Sequence, residues 1–310
     1  MRMNAYVAET NHASGRPGRA GRGGLRLSAA ALLMTVLVGA MVGCGASQPY
    51  VTPARLDRGL VIVLPGIEGR SRFNEDICRG LDAAGVDWAI ELHDWTSWLG
   101  PLYNLRAEVE NRQKAREVGW RIARYHWDYP DRPVVLVGQS GGAAIAIWTA
   151  EGLMRGHKVE GLILLAASIS PGYPLEFALA NTRRGIVNLH SSRDLLLLGV
   201  GTTVAGTMDG RHSASAGQAG FRQPPSELRE ELGYDRLYPV PWRPEMGQAG
   251  NPGLHITSGA MGFVAEFVAP LVLAPQWSHQ VVYDVTHPVG PDTPEPWSET
   301  RPVFEPSIGQ

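Results

Sequence analysis

Pro133-Val134-Val135-Leu136-Val137-Gly138-Gln139-Ser140-Gly141-Gly142 runs on into Ala143-Ala144-Ile145-Ala146-Ile147-Trp148, and this stretch decides how the rest of the chain is read. A β-branched apolar run stops at a glycine, a serine follows, two further glycines come next, and an apolar helical segment begins. That order predicts a strand buried on both faces, a very tight turn, and a helix packed back on the sheet. Gly138, Ser140 and Gly142 fill the G-x-S-x-G pattern of a nucleophile elbow, with Gln139 and Gly141 between them. The pattern needs small neighbours because the serine sits in a strained turn with its Oγ pushed into the open. A serine at a helix start can also be a plain N-cap. The rest of the chain must therefore choose between the two.

The chain has 310 residues, 44% of them hydrophobic and 19% charged, which is the profile of a globular protein. Its net charge of −2 hides an asymmetry. Residues 1–43 hold five arginines and one acid, which leaves 23 basic against 29 acidic residues in the body. A mildly acidic body argues against nucleic acid as a partner. With only Lys114 and Lys158 as lysines, no polybasic patch for anionic lipid is visible.

The leader reads as a targeting segment. Arg16 to Arg26 make a basic region, and Leu27 to Val42 an apolar run of sixteen residues, short for a membrane span. It ends in Met41-Val42-Gly43-Cys44, which resembles a bacterial lipobox, with methionine where leucine is usual. The resemblance implies a signal peptide over 1–43, lipidation of Cys44, and an exported protein held on a membrane. Gly45, where aspartate signals inner-membrane retention, leans towards the outer membrane. Cys78 is the only other cysteine, so no disulfide is expected.

Residues 44–58 read as a flexible tether, and the folded body is expected over 59–273. Buried strands are predicted at Gly59 to Leu64, Trp88 to Leu92, Val134 to Val137, Val159 to Ala166 and Gly185 to His190. Leu237 to Trp242 is a last strand, which its prolines place at an edge. Helices alternate with them at Arg72 to Ala84, Leu105 to Tyr125, Gly141 to Arg155, Pro174 to Asn181 and Ser258 to Leu273. Residues 274–310 read as an irregular tail. Such alternation implies a mostly parallel sheet of about six strands with helices on both faces. Working groups gather beyond the carboxyl ends of such strands.

Three strand ends then carry candidate chemistry. Pro65-Gly66-Ile67-Glu68-Gly69 is a glycine-flanked turn able to aim backbone N–H groups at a developing oxyanion. After the strand at 185–190 comes Ser191-Ser192-Arg193-Asp194, where an acid can orient a histidine ring; Asp209 is the second choice. Of nine histidines, His255 lies in the loop between the last strand and the last helix. It is placed to serve as general base to Ser140.

The order Ser140, Asp194, His255 resembles that of α/β-hydrolases, over about residues 59–273. Pro65 to Gly69 is similar to the His-Gly-Leu-x-Gly oxyanion loop of bacterial lipases, with proline in place of histidine. The resemblance implies the α/β-hydrolase fold and backbone oxyanion donors at Ile67 and Gly141. It also implies a serine hydrolase acting on carboxylic esters through an acyl-enzyme. A thioesterase or acyltransferase on the same fold, and a non-catalytic binding lipoprotein, stay open beside it. Asp94 to Tyr103 is rich in aromatics, which either wall an acyl pocket or pack the following helix. The excursion 199–225 can border the site as a flap. Metal-ligand spacing, phosphate loops and dinucleotide fingerprints are missing, so neither metal nor cofactor is expected. The expected partners are a small-molecule ester or acyl substrate and, through the lipid anchor, a membrane.

Overall fold

The computed structural model describes residues 48–194 and 206–287. The expected leader with Cys44, residues 199–205 of the excursion and 288–310 of the tail lie outside the described residues.

Six strands form one parallel sheet: Leu60–Leu64 (β1), Ala89–Leu92 (β2), Val134–Gln139 (β3), Val159–Leu165 (β4), Thr182–His190 (β5) and Leu237–Pro241 (β6). Their spatial order is β2-β1-β3-β4-β5-β6. Main helices are Arg72–Ala83 (α1), Glu108–Asp128 (α2), Gly141–Glu151 (α3) and, beyond a helical run over 261–273, His279–Thr286 (α4). This parallel, helix-flanked sheet of six strands is the architecture that the sequence predicts, with the serine turn directly after strand β3.

Side-chain alternation divides the core. Leu60, Ile62 and Leu64 face one layer with Val118 and Ile122 of α2 and Ile145 of α3. Val61 and Val63 face the other layer, with Ile77 and Leu81 of α1 and Phe263, Phe267 and Leu271 of the late helical run. Every residue of β1 is buried, as its unbroken apolar run predicts. Helix α3 is buried on all sides except at its last residue, which suits a segment of glycine, alanine and isoleucine without a polar stripe. β6 lies at the sheet edge. Pro239 and Pro241 alternate there, so the N–H groups they lack fall on the open side. Trp242 N–H still donates to His190 O at 2.7 Å.

The register aligns the strand ends. Leu64 pairs with Gly138, Gln139 with Leu165, and Leu165 with Leu189. The loops that follow β1, β3, β4 and β5 therefore emerge at one edge of the sheet.

Three expectations need correction. Residues 48–58 are not a loose tether. Gln48 both donates to Leu92 O (2.8 Å) and accepts from Leu92 N–H (3.2 Å), and Ile90 N–H donates to Tyr50 O. An open strand edge offers unpaired backbone groups, and this segment satisfies those of β2. Residues 274–287 are not irregular. Trp277 is buried against Gly161, where a Cβ would strike the indole, and α4 follows it. The expected helix from Leu105 to Tyr125 is two helices, Pro101–Arg106 and α2, broken at Ala107. Asn111 Nδ2 donates to Asn104 O at 2.6 Å across that break.

Candidate active site

The turn after β3 is built on close backbone approach. A Cβ at Gly142 would strike the carbonyl oxygens of Leu64 and Pro65, and one at Gly138 would lie 2.7 Å from Ala143 Cα. Only glycine fits at either position. Between them Ser140 has φ 55° and ψ −119°, a left-handed backbone that costs a non-glycine residue roughly 1–3 kcal/mol. Two hydrogen bonds to the β4 end hold the turn: Ser140 N–H donates to Leu165 O (2.9 Å), and Ser168 N–H to Ser140 O (3.1 Å).

Asp194 arrives from the β5 end. Its N–H donates to Ser191 O at 2.9 Å, and Ser191 Oγ accepts from Arg193 N–H at 3.1 Å, closing a compact turn. His255 opens a 3-10 turn, His255–Gly259. The preceding loop is pinned by Asn251, whose Oδ1 accepts from Gly253 N–H (3.1 Å) and Thr257 Oγ1 (2.9 Å). Ser258 Oγ donates to His255 O at 2.8 Å.

These loops bring the three side chains into line. His255 Nε2 is 2.7 Å from Ser140 Oγ, and His255 Nδ1 is 2.8 Å from Asp194 Oδ1 and 3.1 Å from Oδ2. The geometry calls for an Nδ1–H that donates to Asp194 and an Nε2 that accepts from the serine hydroxyl. All three residues are buried, with 4, 6 and 8% exposure for Ser140, Asp194 and His255, so water competes little for these bonds. Asp209, the second choice of acid, is committed elsewhere: it accepts from Ser170 N–H (2.9 Å), Ser170 Oγ and Thr207 Oγ1. His279 lies against Tyr238 and His287 against Tyr283, away from the serine.

Ile67 and Gly141 meet at the same place. Ile67 lies in a turn closed by Gly69 N–H donating to Gly66 O at 3.0 Å. Its own N–H makes no hydrogen bond among the described residues. Gly141 opens α3, where the N–H has no partner within the helix. A Cβ on Gly141 would come within 2.7 Å of Ile67 Cγ2, so the two residues are in close approach.

Two residues that hold this loop escaped sequence reading. Asn104 Nδ2 donates to Ile67 O at 2.9 Å while its Oδ1 accepts from Ser97 N–H. Trp95 Nε1 donates to Pro65 O at 2.8 Å. An asparagine inside the short helix Pro101–Arg106 carries no sequence signal of that role. Trp95 is buried, which settles its reading as packing, whereas Trp98 is 92% exposed. The wall beside Ser140 comes instead from Phe73, Pro101, Leu105 and Ile256, around a largely apolar cavity of about 220 Å³. No cluster of three or more His, Cys, Asp or Glu able to hold a metal occurs among the described residues.

No protein-family profile and no curated protein matches the sequence. Solved structures do resemble it. Lipase B of Aspergillus fumigatus is similar at 11% identity and a TM-score of 0.45, covering 78% of this chain. This chain spans 62% of that lipase's length. A cutinase-like protein from Cryptococcus sp. is similar at 14% identity and a TM-score of 0.39, over 72% of this chain and 97% of the other. Esterase PE8 is similar at 16% identity and a TM-score of 0.37, over 62% and 87%.

Proposed function

We propose that this protein is a serine hydrolase that cleaves carboxylic esters through an acyl-enzyme. One observation carries the reading: His255 bridges Ser140 Oγ at 2.7 Å and the Asp194 carboxylate at 2.8 Å. Ser140 Oγ attacks the ester carbonyl carbon while His255 Nε2 takes the hydroxyl proton. Asp194 holds the ring in its tautomer and stabilises the imidazolium. The carbonyl oxygen becomes an oxyanion facing the N–H groups of Ile67 and Gly141. Collapse breaks the bond to the leaving oxygen, which receives the proton from Nε2 and departs as the alcohol. Water then attacks the acyl-serine, His255 takes its proton, and the acid is released as Ser140 Oγ is reprotonated.

The cavity walls favour an apolar acyl group. Phe73, Leu99, Leu102 and Ile256 are large apolar side chains left exposed, and Phe73 and Ile256 line the cavity itself. The test is labelling of the full chain with a fluorophosphonate probe. Wild type is expected to label and Ser140→Ala not to. Absence of labelling in folded wild type favours a binding lipoprotein and removes the enzyme reading.

The leader supports a second part of the proposal, export and tethering through a lipid on Cys44. Cys44→Ser is expected to release the protein from the membrane fraction. Retention on the membrane would argue for an uncleaved anchor instead.

A further inference from the structure

The cavity beside Ser140 carries two hydrogen-bond acceptors for which ester hydrolysis itself has no use. Gln139, the residue before the nucleophile, is 4% exposed, and its Oε1 has no hydrogen-bond partner among the described residues. Glu68, an exposed residue beside the oxyanion candidate Ile67, accepts long bonds at Oε1 only, from Asn74 Nδ2 (3.3 Å) and Ser71 Oγ (3.4 Å). Its Oε2 folds over Gly66. A Cβ built on Gly66 would strike that oxygen and sit 3.1 Å from Gln139 Oε1. Both acceptors therefore border one small space, and both residues line the cavity with Ser140 and His255. Turning the Gln139 amide over does not remove the surplus. A carboxylate only accepts, so the pair would still hold more acceptors than donors.

A buried acceptor without a donor is costly, and a carboxylate beside a developing oxyanion opposes its charge. A substrate that supplies a donor at this point relieves both penalties. The second relief grows as the oxyanion forms, so it acts on the transition state more than on binding.

We infer that Glu68 and Gln139 form a donor-reading subsite that selects carboxylic esters whose leaving alcohol carries a free hydroxyl or ammonium group. The inference rests on the serine-hydrolase reading. The alcohol is the donor-bearing half because the remaining cavity wall, from Phe73, Pro101, Leu105 and Ile256, suits a hydrocarbon acyl chain.

The test compares kcat/KM for 2-hydroxyethyl, glyceryl, ethyl and choline butyrates on the full-length protein, with p-nitrophenyl butyrate as the activated control. The hydroxyl-bearing esters are expected to exceed ethyl butyrate by roughly tenfold, chiefly in kcat, the worth of one charge-assisted hydrogen bond. In Glu68→Ala that ratio should fall to about one, and Glu68→Gln, which keeps an acceptor oxygen, should be intermediate. A ratio near one in wild type, with p-nitrophenyl butyrate still turned over, overturns the subsite alone. So does a Glu68→Ala variant that slows all esters in parallel, the mark of a purely structural role. Preference for choline butyrate alone, which offers charge without a donor, overturns it in favour of a simple anionic site. Failure of every ester together with no fluorophosphonate labelling overturns both readings.

Discussion

The two corners of the site are held in different ways. The serine corner is backbone against backbone: Gly142 lies on the carbonyls of Leu64 and Pro65, Gly138 on Ala143, with no room for a single Cβ. The acid–base corner is side chain to side chain, joining loops 61 residues apart through one carboxylate and one imidazole. The first arrangement is part of the fold's core, so damage there is damage to folding. The second is a hydrogen-bonded bridge at the sheet edge, where a substitution can change chemistry and leave the architecture standing.

The sharpest way to break this contrast is at the two aspartates. Asp194→Asn is expected to lower kcat/KM by roughly ten-thousandfold with little change in thermal midpoint, because the ring loses its oriented, charge-stabilising partner. Asp209→Asn should leave the rate near wild type. It should instead weaken the Ser170 and Thr207 bonds, visible as a lower midpoint. The reverse pattern would exchange their roles. At the serine corner, Gly142→Ala must push a methyl into two carbonyl oxygens. A loss of roughly 3 kcal/mol or more in chemical denaturation, with poor soluble yield, is expected.

Asn104 tests the ground between the corners, since it touches neither the serine nor the base. Asn104→Ala leaves the buried Ile67 carbonyl without its donor, for a loss of about 1–3 kcal/mol of stability. It also loosens Ile67, whose own N–H, one peptide earlier, is the proposed oxyanion donor, so kcat should fall while KM changes little. Unchanged kcat would remove Ile67 from the oxyanion site.

The smallest effect lies far from the site. His126 at the end of α2 has its Nδ1 3.1 Å from that of His157, and burial first, then the neighbouring ring, holds its pKa below the ordinary 6.5. The folded state thus binds a proton less readily than the unfolded chain. This contribution is complete above about pH 6.5 and is lost as pH falls through the lowered folded value. A His126→Gln variant should show a shallower decline in thermal midpoint on acidification than wild type, with ester turnover unaffected.

Much of the sheet was legible because period-2 burial, apolar runs and glycine stops are local signals. β1, β3 and β4 are apolar enough to be read as buried on both faces, and prolines 239 and 241 marked an edge strand. Asp194 could be preferred over Asp209 because it follows its strand end at once, and Ser191 to Asp194 forms the turn there. Other features left no such trace. The segments at 48–58 and 274–287 look like loose ends by composition, yet each docks through partners far away in sequence. Trp277 under Gly161 pairs positions 116 residues apart, which no local pattern announces. The aromatic loop held two tryptophans with opposite fates, one buried and bonded to Pro65, the other almost wholly exposed.

Local chain chemistry is enough to produce the strand–turn–helix around Ser140, because glycine's freedom and the apolar run act within ten residues. It also puts an acid and a histidine in loops that follow strands. Everything that depends on distance between such loops was decided by the folded sheet. Parallel register brings the ends of β1, β3, β4 and β5 to one edge, and only there does His255 reach both Ser140 and Asp194. The support from Asn104, the engagement of Asp209 with Ser170 and Thr207, and the unsatisfied Gln139 oxygen beside the serine arise the same way. Hydrogen-bond partners are set by three-dimensional approach, and a linear chain carries no record of which of its polar groups will be left without one.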